Sequence, residues 1–223
     1  MKRIIKKRIY YFHGFRSAGE GSKFETLKRV YGEEYEILSP TLPNNVYEAR
    51  AELRLIAKEF NEKDEVRVIG TSLGAFYAYY FASVLFSSGA ILINPVLDPE
   101  VHMRKYLGKN RNFETGKKFE FTEQDLTEFE YMKKEMEAAD ACFTATQIAL
   151  GKNDDIVDVE KVAEWFFDEH NVKFYDDDHR FNNKFEEMLR EERTRKFIEK
   201  PWFFLDTGLL EELEDMRDNP DEK

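Results

Sequence analysis

Short runs of β-branched and aromatic residues alternate along the chain with stretches in which apolar residues recur every three or four positions. The first pattern is typical of buried strands and the second of amphipathic helices. The predicted strands are 8–12, 35–38, 65–69, 90–93, 143–150 and 172–175. The predicted helices are 22–31, 46–60, 73–85, 159–170 and 183–199, and Pro201 ends the last one. Strands and helices that alternate in this way predict an α/β fold, with a mainly parallel sheet of about six strands flanked by helices.

Two segments depart from this alternation. Segment 98–140, between the fourth and fifth predicted strands, is longer than a usual crossover and is rich in Lys, Glu, Phe and Tyr, which indicates an inserted cap. Segment 201–223 begins with Trp202-Phe203-Phe204 and ends in acidic residues, so we expect its start to dock and its end to fray. The predicted organisation is one domain at 1–200, which includes the cap, and a partly docked tail at 201–223.

Composition narrows the classes of function. The chain has 45 acidic and 34 basic side chains, and its net charge of −11 repels nucleic-acid phosphates and anionic membrane surfaces. Its single cysteine, Cys142, cannot form an internal disulfide, and Cys and His show no metal-ligand spacing. The pattern contains neither a signal peptide nor an apolar run that could span a membrane. We therefore expect a cytoplasmic protein with no metal, no nucleic-acid partner and no membrane partner.

Gly70-Thr71-Ser72-Leu73-Gly74 matches the nucleophile-elbow pattern G-x-S-x-G. In such an elbow a sharp strand-to-helix turn lifts a serine hydroxyl above the sheet, and small flanking residues are required because the turn is tight. A predicted strand leads directly into this pentad and a predicted helix leaves it, which is the required setting. The alternative is an ordinary Gly-Ser turn. We predict that Ser72 is a nucleophile.

A serine nucleophile needs a histidine as base, and in α/β hydrolases that histidine follows the serine and the acid along the chain. His13 precedes Ser72, and His102 falls in the predicted cap. His170 lies at the end of a predicted helix, where it can cap the helix dipole. His179 follows the last strand at the carboxyl edge of the sheet, where ligands bind in open α/β sheets. His179 is therefore the predicted base, with His170 as the alternative.

Several carboxylates compete to orient this histidine. Asp154, Asp155 and Asp158 follow the fifth predicted strand, and Asp158 is well placed to cap the next helix. Asp154 lies closest to the strand end and is the predicted acid. The run Asp176-Asp177-Asp178 beside His179 is the alternative source, although such a run is also typical of a solvated turn.

The negatively charged oxygen of a tetrahedral intermediate needs backbone N–H donors, usually from the residue after the nucleophile and from the loop after an early strand. Leu73 and Phe15 are predicted to form this oxyanion hole. His13, just before this loop, is expected to be a structural hydrogen-bonding residue.

Taken together, these residues resemble the small bacterial YqiA/YcfP-type esterase family of the α/β-hydrolase superfamily. The resemblance spans 10–197 and is carried by His13-Gly14-Phe15-Arg16-Ser17, Ser22-Lys23, Pro40-Thr41-Leu42-Pro43, the elbow, Leu92-Ile93-Asn94-Pro95, Tyr106-Leu107-Gly108-Lys109-Asn110, Thr115-Gly116, Asp154 to Asp158 and Asp178-His179-Arg180-Phe181. It implies an esterase that acts on acyl esters, with acyl thioesters as an additional class. It also implies a triad of Ser72, Asp154 and His179.

The expected reaction is hydrolysis of a small-molecule acyl ester or thioester through an acyl-enzyme on Ser72, without metal or organic cofactor. One alternative is an acyltransferase that uses the same triad. Another is a non-catalytic binding protein on a hydrolase scaffold, but a degenerate copy would be expected to lack a triad member. The oligomeric state does not follow from the sequence.

An insertion after the fourth strand emerges at the carboxyl edge, so we expect segment 98–140 to cover the site and select the acyl group. Phe113, Phe119 and Phe121 are predicted to bind the acyl chain, and lysines such as Lys105 to face solvent or an anionic leaving group. The alternative is that these aromatic residues only anchor the insertion to the core.

Overall fold

The structure, a computed structural model, describes residues 6–61, 64–86, 88–141, 144–166 and 171–200. Its strands are β1 Lys7–Phe12, β2 Glu36–Leu38, β3 Glu65–Thr71, β4 Gly89–Ile93, β5 Gly108–Arg111, β6 Lys118–Phe121, β7 Thr146–Asn153 and β8 Val172–Asp178. Six of them form a parallel sheet in the order β2-β1-β3-β4-β7-β8, and β5 and β6 form a separate antiparallel hairpin. The predicted α/β fold with a six-stranded parallel sheet is confirmed.

Both faces of the sheet are buried. In β1, Tyr10 and Phe12 belong to one hydrophobic cluster, while Ile9 and Tyr11 belong to the cluster on the opposite face. Side chains alternate in this way because successive residues of a strand point to opposite faces. Burial on both sides explains why these strands appear in the sequence as nearly continuous apolar runs.

Helices cover the two faces. They are α1 Ser22–Tyr31, α2 Val46–Ala57, α3 Leu73–Tyr80, α4 Pro99–His102, α5 Glu123–Ala138, α6 Val159–Trp165, α7 Phe185–Arg190 and α8 Glu192–Glu199. Helices α2, α3, α5 and α6 contribute to one cluster, and α1, α7 and α8 to the other. Within the described ranges, no helix has both the length and the apolar character needed to cross a membrane.

The predicted boundaries differ from the observed ones in several places. Helix α2 ends at residue 57 instead of 60, and α3 gives way to a π-helical turn at Phe81–Leu85. Strand β7 begins at residue 146 and continues to 153. Phe143, Cys142, His170, Pro201 and the predicted tail 201–223 lie outside the described residues. The division into a domain at 1–200 and a tail stays a prediction.

The predicted helix 183–199 is two helices, because Glu191 between them has an extended backbone with ψ of 142°. Its carboxylate accepts hydrogen bonds from Lys173 Nζ at 2.7 Å and from Tyr175 Oη at 3.0 Å, both on β8. These hydrogen bonds to the edge strand β8 hold Glu191 in an extended conformation that a continuous helix would not allow. The periodicity of the sequence contains no sign of this tertiary contact.

Segment 98–140 contains α4, a 3₁₀ turn at Met103–Tyr106, the β5–β6 hairpin and α5. Helix α5 is attached to α2 on the flank of the sheet. Arg50 on α2 pairs with Glu128 and Glu135 on α5, and buried Asp125 accepts a hydrogen bond from the Val46 backbone N–H at 2.8 Å. The second half of the segment is therefore fixed to the domain, and the hairpin is the part that lies against the loop after β1.

Candidate active site

The carboxyl ends of β3, β4, β7 and β8 meet at one edge of the sheet, because neighbouring parallel strands end on the same side. Ser72 follows β3, Asn94 follows β4, and Asp154 follows β7. His179 follows β8 directly. Four residues that are far apart in the sequence are thus brought to one place by strand order alone.

Ser72 has a strained backbone, with φ of 59° and ψ of −123°. A side chain on Gly70 would collide with the backbone oxygen of Gly74, and one on Gly74 would collide with the backbone oxygen of Phe12. The turn therefore needs glycine at both positions. Ser72 N–H donates to the Ile93 carbonyl at 2.9 Å, which ties the turn to the end of β4. A non-glycine residue held in this region is typical of functional sites.

A continuous chain of hydrogen bonds joins the three predicted triad residues. Ser72 Oγ lies 2.9 Å from His179 Nε2, and His179 Nδ1 lies 2.7 Å from Asp154 Oδ2. The Asp154 side chain is fully buried and that of His179 is 12% exposed. Nδ1–H donates to the carboxylate, which leaves Nε2 free to accept the serine proton.

The Asp154 carboxylate is held by several donors at once. Its Oδ1 accepts from the backbone N–H groups of Ile156 and Val157, each at 2.8 Å. Burial raises the pKa of the Asp154 carboxyl, but the hydrogen bond from His179 lowers it. The backbone bonds lower it further, so the net pKa lies below the ordinary value for aspartate. Asp154 is therefore an ionised acceptor in a fixed orientation at neutral pH.

The other carboxylates after β7 have different positions. Asp155 is exposed. Asp158 caps α6 by accepting from the Lys161 backbone N–H at 3.3 Å. Neither is joined to His179 by a hydrogen bond within the described residues. The alternative base, His170, lies outside them.

The acidic run beside His179 is also engaged elsewhere. Asp176 accepts from Asn153 Nδ2 at 3.0 Å. Buried Asp177 accepts from the Lys184 backbone N–H at 2.6 Å, and Asp178 accepts from the Arg180 backbone N–H at 2.8 Å. These bonds shape the turn that presents His179.

Phe15 and Leu73, the predicted oxyanion-hole donors, both lie near Ser72. Leu73 is the first residue of α3, where helix N–H groups have no partner within the helix. Phe15 follows Gly14, whose backbone passes so close to Ser72 that a Cβ added to Gly14 would lie 3.9 Å from the serine Oγ. Phe15 and Leu73 also line the same small cavity. The structure thus brings both predicted donors beside the serine.

His13 anchors this loop. Its Nδ1 donates to the Gly14 carbonyl at 2.9 Å, and its Nε2 accepts from the Leu42 backbone N–H at 3.0 Å. Burial lowers the pKa of His13 by more than the Gly14 carbonyl raises it, so the ring is neutral at neutral pH. Both ring nitrogens are occupied by backbone groups, as a structural histidine requires.

The cavity beside the oxyanion loop has a free volume of about 20 Å³, enough for one or two non-hydrogen atoms. Its walls are formed by His13, Gly14, Phe15, Arg16, Leu42, Pro43, Asn44, Val46, Leu73, Tyr77 and Phe121. Of the three aromatic residues predicted to bind substrate, Phe121 is on the wall. Phe119 packs edge-on against the Phe15 ring at 5.7 Å, and Phe113 is 70% exposed and is not on the wall.

Asn94 is a site residue to which the sequence analysis assigned no role. It is fully buried, has a φ of 45° and receives a hydrogen bond on Oδ1 from the Gly151 backbone N–H at 2.7 Å. Its Nδ2 donates to the carbonyls of Asp178 and His179, both at 3.1 Å. One side chain thus joins the end of β4 to the ends of β7 and β8, which carry Asp154 and His179. The sequence signal for this residue was a polar asparagine that directly follows an apolar strand and precedes Pro95.

The strand order and the strained serine turn after β3 define a protein of the α/β-hydrolase fold. The chain belongs to the uncharacterised protein family UPF0227, the YqiA/YcfP family, whose model matches residues 8–194. This match confirms the resemblance inferred from the motifs.

Solved structures share this fold at low sequence identity. Est1E from Butyrivibrio proteoclasticus has a TM-score of 0.62 at 15% identity, with 88% of each chain covered. The esterase domain of a Rhodothermus marinus protein has a TM-score of 0.59 at 19% identity, covering 88% of this chain and 90% of that one. The monoacylglycerol lipase of Paleococcus ferrophilus has a TM-score of 0.58 at 12% identity, covering 87% of this chain and 96% of that one.

The first prediction concerns the acid. We expect Asp154→Asn to lower kcat for ester hydrolysis by about 10⁴-fold, because an amide both favours the wrong tautomer of His179 and fails to stabilise its charged form. Asp155→Asn is the matched control and should cost less than about tenfold. Steady-state kinetics on purified variants measures both. A larger loss at Asp177 or Asp178 than at Asp154 would transfer the role to the acidic turn.

The second prediction concerns Asn94 as a positioning residue. Asn94→Asp keeps an acceptor for Gly151 but places a carboxylate oxygen against two carbonyl oxygens, so the His179 loop should shift. We expect kcat to fall about 10- to 100-fold while KM changes less than about threefold, as for a misplaced catalytic group.

Two controls accompany this variant. Asn94→Gly tolerates the positive φ and removes the repulsion, so it should retain more activity than Asn94→Asp. Gln147→Ala removes a buried amide that bonds Thr194 near the other end of β7, and should lower the melting temperature while kcat is retained. If both 94 variants lower only the melting temperature, Asn94 has no positioning role.

Proposed function

We propose that this protein is a serine esterase that hydrolyses acyl esters through an acyl-enzyme on Ser72. The observation that supports it most directly is the hydrogen-bonded chain from Asp154 through His179 to Ser72, with distances of 2.7 and 2.9 Å. Such a chain gives a serine hydroxyl a base within reach and gives that base a fixed tautomer. Family membership and the esterases and lipases among proteins of this fold agree with the proposal.

In the first half of the reaction, Ser72 Oγ attacks the ester carbonyl carbon and its proton passes to His179 Nε2. The carbonyl oxygen becomes negatively charged and accepts hydrogen bonds from the backbone N–H groups of Leu73 and Phe15. The bond to the alcohol oxygen then breaks, and the imidazolium gives its proton to that oxygen. The acyl group is left as an ester on Ser72.

In the second half, water takes the place of the alcohol. It attacks the acyl carbon as His179 Nε2 accepts its proton, and the carboxylic acid leaves as Ser72 Oγ regains a proton. Asp154 stays ionised in both halves and stabilises the imidazolium that forms twice in each cycle. This chemistry uses side chains and backbone donors only, and it serves a thioester equally well because the same carbonyl carbon is attacked.

The size of the cavity bears on the acyl group. The cavity of about 20 Å³ beside Phe15 and Leu73 has room for about one or two carbons beyond the carbonyl of an ester. We therefore propose short-chain acyl esters as the substrates, with Phe121 as the wall that limits length. The cytoplasmic location remains a prediction from composition.

The third prediction tests the nucleophile. A fluorophosphonate probe should label the wild-type protein and fail to label Ser72→Ala, because labelling requires an activated serine. Ester hydrolysis by Ser72→Ala should fall by several orders of magnitude at unchanged melting temperature. Ser83→Ala, whose hydroxyl bonds the Tyr79 carbonyl on the helix behind the elbow, is the control and should be labelled normally. Activity above a few per cent in pure Ser72→Ala would contradict the proposal.

The fourth prediction concerns chain length. Among 4-nitrophenyl esters, kcat/KM should be highest for acetate or propionate. Phe121→Ala should move the optimum to longer chains, because each added methylene that becomes buried contributes about 0.8 kcal/mol, or roughly fourfold.

The matched control for this prediction is Phe185→Ala, which removes an equally buried ring from the opposite face of the sheet. It should lower the melting temperature and leave the optimum where it is. An unchanged optimum in Phe121→Ala would mean that this ring only anchors the insertion to the core.

A further inference from the structure

Arg16 lies directly beside the proposed oxyanion donor. It follows Phe15 in the loop after β1, has a φ of 62° and contributes to the same cavity as Phe15 and Leu73. Its carbonyl accepts a hydrogen bond from the Phe113 backbone N–H at 2.8 Å, so the β5–β6 hairpin holds the loop from outside. A non-glycine residue with positive φ costs free energy, and here it projects a cationic side chain at the mouth of the site.

The guanidinium of Arg16 is held between aromatic rings. Its central carbon lies 4.0 Å from the ring centre of Phe113 and 5.9 Å from that of Tyr106. Stacking of this kind fixes the plane of the guanidinium while leaving its N–H edge available to a ligand. The chain therefore orients the group without using its donors.

Within the described residues, no carboxylate lies within 4.0 Å of Arg16, and its buried Nε has no acceptor. Other partly buried arginines are satisfied: Arg50 pairs with two glutamates, and Arg67 donates to the Ile198 and Lys200 carbonyls. A buried donor without an acceptor is unfavourable. Arg16 is thus a cationic donor, positioned at the site, whose natural acceptor is not supplied by the described part of the chain.

A second basic side chain lies beside the same ring. Lys105 Nζ lies 5.3 Å from the centre of the Tyr106 ring, and the Arg16 guanidinium carbon lies 5.9 Å from it. Two cations therefore lie beside one ring in a chain with a net charge of −11.

We propose that Arg16 binds an anionic group, a carboxylate or a phosphate, on the alcohol portion of the ester. This inference rests on the esterase function proposed above. Arg16 contributes to the wall of the cavity proposed to take the acyl group, and its guanidinium lies over the Phe113 ring, which is 70% exposed. We therefore place the leaving alcohol on the exposed side of Arg16. The planar fork of an arginine matches both carboxylate and phosphate oxygens.

The test compares acetate esters that differ in charge on the alcohol portion. The pairs are 3-acetoxybenzoate with its methyl ester, and 3-acetoxyphenyl phosphate with its dimethyl ester. Each kcat/KM is divided by the spontaneous hydrolysis rate, which removes differences in leaving-group reactivity. We expect the wild type to favour the anionic member by about 10- to 100-fold, as for a charge-assisted hydrogen bond, and the pair with the larger ratio identifies the anion.

Variants assign this preference to one side chain. Arg16→Gln keeps a polar side chain and the same backbone conformation but removes the charge, and the ratio should fall to about one. Arg16→Lys keeps the charge without the planar fork and should retain part of the ratio. Arg111→Met removes a charge from an exposed position in the same hairpin and should leave the ratio as in the wild type. If Arg111→Met lowers the preference for the anionic ester as much as Arg16→Gln does, the preference comes from the overall charge of the hairpin, and the assignment to Arg16 is wrong.

Two outcomes separate this inference from the proposed function. If the wild type is labelled by the fluorophosphonate probe and hydrolyses neutral acetates but shows no anionic preference, the Arg16 inference is wrong and the esterase proposal stands. If no ester is hydrolysed, calorimetric binding of 3-hydroxybenzoate still tests the anion site, with at least tenfold weaker binding expected in Arg16→Gln. A preference found only with monophenyl succinate, which carries its carboxylate on the acyl side, would overturn the placement on the alcohol.

Discussion

The side-chain amide of Asn94 links the two strands whose ends carry the proposed acid and the proposed base. It accepts from the backbone N–H of Gly151 on β7, the strand that leads to Asp154, and donates to the carbonyls of Asp178 and His179. The Ser72 N–H donates to the carbonyl of Ile93, the residue before Asn94, so the serine turn is attached to the end of the same strand. The relative positions of the proposed acid, base and nucleophile are therefore set from the end of one central strand, where Asn94 is fully buried and such bonds are strong.

The general architecture followed from the sequence because it depends on local signals. The apolar runs of β1, β3 and β4 are buried on both faces, and such runs indicate parallel strands whatever their neighbours are. The break at Glu191 and the π-helical turn after α3 depend on contacts with other elements. Neither changes the apolar period, so neither was predictable from one sequence.

The proposed catalytic residues depend on signals of both kinds. Glycine at positions 70 and 74 is required by the turn itself, so the motif draws attention to Ser72 directly. The sequence favoured Asp154 over Asp177 only by its place at a strand end, and in the structure Asp154 bonds His179 whereas Asp177 bonds the Lys184 backbone. Asn94 and Arg16 were part of the sequence motifs, but the roles proposed for them depend on partners on other strands and on the hairpin.

The β5–β6 hairpin is attached to the loop after β1 by backbone and side-chain hydrogen bonds, in addition to ring contacts. Asn112 Nδ2 donates to the Ser17 carbonyl at 2.7 Å, and the Phe113 N–H donates to the carbonyl of Arg16, the residue after Phe15. A substrate that drew the hairpin inward would therefore pull on the loop that carries the Phe15 N–H, the proposed oxyanion donor. Such a linkage would let binding energy from a remote part of the substrate act on that donor, so that affinity for the remote group is expressed as turnover.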